Sequence, residues 1–391
     1  MSAGRGLGVM SQRSIAIIGA RGIANYGGFE TFVGEVAPRL CQKGYDVYCS
    51  HRRTDDGCAA GEYRGVKLAY FPFRFPKNNR AGRLFEVLYD WYFALKFSFF
   101  ARTDFLYCLG IAAGLVAPIC RLSGTKVLIN IDGLEWKRGK FRLAERMYIR
   151  LAYASSYAGA NLLILDNSRL ANYIPRRVRD RAVFIPYGVE PIECSKLDSS
   201  KFREFVESIA LAYQPYRYWL VVARLEPDNS THTIVDAYRR SESKLPLVIV
   251  GDFSSQRYGD SVKAVAKDVG RTRSVLFLGS MYDREILDML RCHCAAYIHG
   301  HSVGGTNPSL LEAMSAGSMI IAHDNEFNRE VVGDHALYFI DAEDLASKMN
   351  TLEKDLDLRM HDGEVLRVRA AEKYNWESVV AEYDKLFRRL K

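Results

Sequence analysis

Two successive series of short apolar runs organise this chain, and helical patterns fall between the runs. The first series reads Ser14–Ile18, Asp46–Ser50, Val66–Phe71, Phe105–Leu109, Lys126–Ile131, Asn161–Leu165 and Ala182–Ile185, with a helix around Phe29–Lys43. The second reads Tyr218–Ala223, Leu247–Val250, Val275–Leu278, Ala295–Ile298, Met319–Ala322 and Leu337–Phe339. The runs are apolar with little alternation, so both faces of each strand must be covered. Strands that alternate with helices in this way build parallel sheets wrapped on both sides. The expected fold is α/β, with two doubly wound Rossmann-like domains in tandem. A length of 391 residues suits two cores better than one. The division reads as 1–190 for the first domain, 191–216 for a connector and 217–372 for the second domain. Residues 373–391 hold a last helix, Trp376–Arg389, that packs back on the first domain.

Composition narrows the class. A content of 48% hydrophobic residues is globular. The net charge of +8 gathers in the first half, at Arg74, Lys77, Arg80 and Arg83, at Lys137, Arg138, Lys140 and Arg142, and at Arg176, Arg177, Arg179 and Arg181. Such clusters are either solvated surface or an attraction to anionic lipid or a polyanionic acceptor. No helix-turn-helix, finger or RNA-recognition signature accompanies them, so nucleic acid is not expected as a partner. The eight cysteines sit mostly in apolar runs, and they read as reduced thiols of a cytoplasmic protein. Cys292-His293-Cys294 lacks a second ligand pair, so no metal is expected. Met1–Arg13 has no apolar core for a signal peptide, and Met10 is an alternative start. Leu84–Phe100 is rich in aromatics and broken by Glu86, Asp90 and Lys96. It reads either as a buried helix or as one that docks at a membrane interface.

The candidate site gathers at strand ends. Residues 299–333 read as a polar loop, a short helix and a strand. Asn307 is a good N-cap, Pro308 suits the first helical position and Gly317 the end. A helix start behind Gly304-Gly305-Thr306-Asn307 is suited to an anion, through backbone N–H groups and the helix dipole. Glu312, one turn in, can accept hydrogen bonds from sugar hydroxyls. Together they suggest a nucleotide-sugar site.

Other strand ends add to it. Arg224 leaves the strand Leu220–Ala223, where its planar fork suits a diphosphate, or else it pairs with Glu226 on the surface. A glycine-rich turn, Gly19 to Gly28, follows the first strand, where ligands of such domains bind. Its spacing is not that of a dinucleotide fingerprint, and the second strand ends in Ser50-His51-Arg52-Arg53 with no acid for a ribose. Asp132 ends another strand, facing the crevice or capping a turn. His299-Gly300-His301 could suggest a metal, but His301, beginning the polar loop, is the better candidate for substrate contact. Neither a Walker A sequence nor a Gly-x-Ser-x-Gly elbow is present.

Three stretches carry a resemblance: Ile17–Phe32, Asp132–Arg138 and Gly300–Met314. On these the chain resembles retaining glycosyltransferases of the GT-B type in family 4, in the branch containing bacterial polysaccharide rhamnosyltransferases. The resemblance implies an active site between the two domains, with the nucleoside diphosphate mainly on the second. It implies that Arg224 holds the diphosphate and that Glu312, matching the second glutamate of the E-x7-E motif, reads the ribose. Gly27 and Gly28 would approach the diphosphate from the first domain. The loop Gly304–Ser309, including Gly305, Thr306 and Asn307, and the helix end at Leu310 would supply donors.

Two positions depart from the family pattern. Gly304 stands where the first glutamate would be, so His301, Ser302 or backbone groups must contact the sugar. Asn229 stands where a lysine would follow the arginine. The implied reaction is metal-independent transfer of a sugar, L-rhamnose from dTDP-rhamnose as first choice, onto a lipid-linked oligosaccharide for surface polysaccharide. No cofactor is needed beyond the nucleoside-diphosphate sugar, and Asp132 would orient or deprotonate the acceptor. The protein would lie in the cytoplasm or peripherally at the inner face of the membrane, touching anionic lipid. A dTDP donor lacks the ribose 2′-hydroxyl, so a UDP- or GDP-sugar remains the alternative. An epimerase, a hydrolase or a non-catalytic sensor on the same architecture are further readings.

Overall fold

The apolar runs form two sheets. The computed structural model describes residues 12–23, 27–52, 61–74, 79–137, 143–211, 216–269 and 273–390. Of the basic clusters, Lys77, Arg138, Lys140 and Arg142 lie outside these residues. So does Arg53, and the side chains of Arg80, Arg83 and Lys137 are not described.

The first sheet comprises β1 (Ser14–Ile18), β2 (Asp46–His51), β3 (Glu62–Tyr63), β4 (Val66–Tyr70), β5 (Phe105–Leu109), β6 (Lys126–Asn130), β7 (Leu162–Leu165) and β8 (Ala182–Phe184). Among the described residues its order is β3-β4-β2-β1-β5-β6-β7-β8. Every pairing is parallel except that of β3 with β4, and this short antiparallel edge carries no apolar run to announce it. The second sheet comprises β9 (Trp219–Val222), β10 (Leu247–Val250), β11 (Val275–Phe277), β12 (Ala296–His299), β13 (Ile320–His323) and β14 (Leu337–Phe339). It is wholly parallel, in the order β11-β10-β9-β12-β13-β14. The central strands β5, β9, β10 and β12 are buried at every position. Below, each sheet with its helices is called a domain.

Order reverses at β1/β5 in the first sheet and at β9/β12 in the second. Loops leaving the carboxyl ends at such a switch point diverge and leave a crevice. The last helix, Trp376–Arg389, lies on the first domain. Its Tyr383 hydroxyl meets that of Tyr107 at 2.7 Å, and its Phe387 ring packs 4.9 Å from Phe105. Arg39 on the helix Gly28–Gln42 reaches Glu377 at 2.9 Å and Glu190 at 2.7 Å.

The cysteines require a correction. Cys194, in the connector, and Cys292, at the end of the helix Arg284–His293, form a disulfide with Cα atoms 5.9 Å apart. They are 98 residues apart in sequence, so only folding brings them together. Cys292 is therefore not a metal ligand, and His293 instead stacks on Phe202 at 5.4 Å. Cys41, Cys49, Cys108, Cys120 and Cys294 are free thiols.

Candidate functional site

The loop after β9 carries Arg224, and the loop after β12 carries His301 through Asn307. Arg224 is exposed, and its guanidinium makes no hydrogen bond or ion pair among the described residues. Glu226, its alternative surface partner, is buried. Asn229 fixes the turn beneath, since its Nδ2 donates to the Arg224 carbonyl at 2.7 Å. The Asn229 Oδ1 faces His301 Nδ1 at 2.8 Å, and His301 Nε2 faces the Gly304 carbonyl at 3.0 Å. Ser302 donates both its N–H and its hydroxyl to the Asp228 carbonyl, each at 2.9 Å. The two loops are thus stitched into one rigid rim. His299, by contrast, is buried, with Nε2 unpartnered, and burial followed by the nearby His301 and His323 pushes its pKa down, so it is neutral.

The helix Pro308–Ser315 begins as its sequence suggests, with Asn307 Oδ1 accepting from the Ser309 N–H at 3.0 Å. That cap has a consequence for anion binding. The Leu310 N–H also turns back, to the Asn307 carbonyl at 3.1 Å, and Leu310 itself is buried. The Ser309 hydroxyl lies under β9, bonded to the Val222 carbonyl at 2.9 Å and to Tyr297 at 2.6 Å. Ser309 and Leu310 therefore have their donors taken inside the protein, contrary to the expectation that they point outward.

Glu312 is half-exposed and ion-paired to Arg291, which is buried and also held by Asp288 at 3.0 Å. Burial lowers the Arg291 pKa, but Glu312, Tyr297 and Asp288 outweigh it, and the net shift is upward. The arginine fixes one carboxylate oxygen of Glu312, and the exposed part of the group faces outward.

The first domain faces this rim with its own carboxyl edge. Asp132, after β6, adopts a left-handed backbone, φ 52°. Asn130 makes the turn by accepting the Asp132 N–H at 2.8 Å, and the Asp132 carboxylate makes no hydrogen bond or ion pair among the described residues. Tyr153 holds the loop on either side, donating to the Ile131 carbonyl at 3.2 Å and the Gly133 carbonyl at 2.8 Å. At the start of the helix Gly28–Gln42, the Glu30 carboxylate folds back over Gly27, where a Cβ would meet Oε2 at 2.1 Å. Glu30 also accepts the Arg21 N–H at 2.9 Å. In this structure the helix end at Gly27 and Gly28 is filled by the protein's own anion.

The family matches fall on these two halves separately. Residues 203–364 match the family Glycosyl transferases group 1, and residues 12–190 match a domain of unknown function, DUF1972. An uncharacterized glycosyltransferase of Methanocaldococcus jannaschii is 27% identical over 243 residues. The match covers 59% of this chain and 59% of that relative's length. The sucrose-phosphate synthase of Thermosynechococcus elongatus superposes with a TM-score of 0.77 at 18% identity, covering 97% of this chain and 99% of its own. Anabaena HepE in complex with UDP-glucose superposes at 0.75 and 17% identity, covering 96% and 100%. The chain carries a glycosyltransferase domain on a GT-B fold.

The sequence did not reveal how the glycosyltransferase domain docks on the first. Thr306 is buried, its N–H bonded to Asp166 Oδ2 at 2.9 Å and its hydroxyl to the Asp166 carbonyl at 2.5 Å. A Cβ on Gly304 (φ 67°) would lie 2.9 Å from the Leu134 nitrogen, and one on Gly305 (φ 72°) 2.9 Å from Asp166 Oδ2. The glycines that read as donor-binding thus touch the first domain, and a side chain at either position would crowd it. Tyr173 adds a bond to Glu326 at 2.6 Å and Ser168 one to Glu330 at 2.6 Å. Asp166 ends β7 and is buried with Oδ1 unpartnered. Burial first, then the nearby Asp132 charge, pushes its carboxyl up to about 7. Its only sequence signal was an acid ending an apolar run.

Proposed function

We propose that this chain transfers a sugar from a nucleoside-diphosphate donor, bound against the second domain, to a hydroxyl acceptor at the carboxyl edge of the first. The observation that carries this reading is the rim at β9/β12. An arginine with no partner among the described residues stands there beside a carboxylate steadied by a buried arginine. Arg224 is the group for the diphosphate, and its bidentate cation stabilises the charge that grows on the leaving phosphate. Glu312 is the group for the ribose hydroxyls, with Arg291 preventing the carboxylate from rotating away. Because the donors of Ser309, Leu310 and Thr306 are taken, Arg224 carries more of the phosphate charge than a free helix end would require. Asp132, unpartnered across the cleft, is placed to accept the proton of an incoming hydroxyl. The chemistry needs no metal in this reading. HepE, which shares the fold, is solved with UDP-glucose, and this supports a nucleotide-sugar donor.

The finer reading rests on the resemblance of the three motifs. It is retaining transfer of L-rhamnose from dTDP-rhamnose to a lipid-linked saccharide at the inner face of the membrane. A UDP-sugar is the second reading, favoured by Glu312, since a ribose offers two hydroxyls to a carboxylate and a deoxyribose one. A thermal-shift panel of dTDP-, UDP- and GDP-sugars tests both. The expected result is stabilisation by one nucleotide series, lost in Arg224→Ala. No stabilisation by any of them overturns the reading. Free sugar or an isomer released without acceptor would instead indicate a hydrolase or an epimerase.

A further inference from the structure

The first domain has an apolar face that its fold leaves uncovered. The helix Leu143–Gly159 buries Ile149, Ala152 and Tyr153 and turns Leu143, Met147 and Leu151 to solvent, Leu143 at 78% exposure. Arg146 and Arg150 stand beside them, and no carboxylate occupies an exposed position of this helix. The helix Ala117–Leu122 exposes Ile119, Arg121 and Leu122, the last at 84%. The π-helical turn Lys96–Phe100 exposes Phe99 and Phe100, the latter at 85%. Leu84 and Leu88, one turn apart on the helix Asn79–Leu95, extend the surface.

These elements form one face. The helix Ala117–Leu122 touches the other three. Trp91 and Tyr148, from the two outer helices, donate to the same carbonyl, that of Ala112, at 3.0 and 2.8 Å. Of the fifteen exposed large apolar side chains among the described residues, nine lie here, so this is a patch and not the usual scatter. The aromatics at the heart of Leu84–Phe100, Tyr89, Phe93 and Phe97, are core instead.

We propose that this face docks on an anionic lipid bilayer. Apolar side chains interleaved with arginines suit an interface where acyl chains begin beneath charged headgroups. The charge pattern decides against a second copy of the chain. A two-fold interface places a patch on itself, and here Arg146 and Arg150 would meet their own copies, with the half-buried Glu145 as the one carboxylate of their helix. No described helix is long and apolar enough to cross a membrane, so contact is along the surface. Helices that follow parallel strands run back from the carboxyl edge, which puts Leu143 on the same side of the sheet as Asp132. On the buried side of that helix, Tyr153 braces the loop of Asp132. A bilayer here would border the crevice where the acceptor is proposed to bind, although the surface stands independently of the donor chemistry.

The test is flotation with phosphatidylcholine vesicles, with and without phosphatidylglycerol. Wild-type protein is expected to float with the anionic vesicles and to be released by salt. A Leu143→Ser, Met147→Ser, Leu151→Ser variant and an Arg146→Gln, Arg150→Gln variant are each expected to lower partitioning roughly tenfold or more. All of these positions are exposed, and an unchanged melting temperature shows that the variants fold. Absence of flotation, equal binding to neutral vesicles, or a dimer in solution that the serine variant abolishes would each overturn the proposal. Retained donor turnover in those cases would leave the donor site standing.

Discussion

The carboxyl edge of the second sheet presents an exposed arginine beside a helix start, whereas that of the first presents two aspartates. The second edge is fixed by short hydrogen bonds among Arg224, Asn229, His301 and Gly304. Among the described residues, the first edge leaves the Asp132 carboxylate and one oxygen of Asp166 without partners. A positive rim suits a leaving diphosphate, and an acidic rim suits a hydroxyl that must lose its proton. The difference also shows why the two domains dock. The acidic edge binds the N–H and hydroxyl of Thr306, so part of the second rim serves to hold the domains together.

Four substitutions test this division. The largest effect is expected from Arg224→Ala, a loss of turnover on the order of 100-fold or more, measured on purified enzyme. Near-normal kinetics would mean that the positive rim is not where the diphosphate sits. Next, Glu312→Gln is expected to weaken donor binding roughly tenfold or more by calorimetry, as a charge-assisted bond is lost. A greater loss for ribonucleotide than for deoxyribonucleotide donors would show that the 2′-hydroxyl is read, and equal affinity in mutant and wild type would reject the role.

Third, Gly304→Glu places a glutamate where the sequence resemblance expects one but is expected to lower the melting temperature by roughly 3–6 °C, through the left-handed backbone and the contact with Leu134. A stable variant with improved activity would show that the close approach of the edges is dispensable.

The smallest effect concerns Asp166. Its ordinary value is near 3.8 and its folded value about 7. Between these the folded state keeps a proton that the unfolded state has released, so stability falls as pH rises through this window and levels off above it. Asp166→Asn keeps an acceptor for Thr306 and removes the charge. It is expected to flatten the pH profile and to raise the melting temperature at pH 8 by roughly 2–5 °C, with no change near pH 4. A wild-type profile flat across that window would place the carboxyl elsewhere.

Much of the fold was legible in the chain itself. An unalternated run such as Leu247–Val250, short and bounded by turn residues, reads as a strand covered on both faces, and the cap Asn307-Pro308 states where a helix starts. Arg224 was visible because it follows such a run, and Glu312 because it lies one turn into the capped helix. Arg291, Glu30 and Asp166 were not, since a charge inside an ordinary helix or after a strand gains its role from what packs against it. The disulfide between Cys194 and Cys292 was read as reduced thiols for the same reason.

The sequence by itself therefore determined the periods, the strand and helix order and the residue types at the strand ends, because these depend on local backbone geometry and on which side chains avoid water. Tertiary structure alone decided which of those residues remain available. Gly304, Gly305 and Thr306 read as a ligand loop until the first domain closed against them. Ser309 and Leu310 read as donors until the cap turned them inward. Whether a polar group faces substrate or another part of the protein is set by contacts between residues far apart in the chain, and no local pattern encodes those.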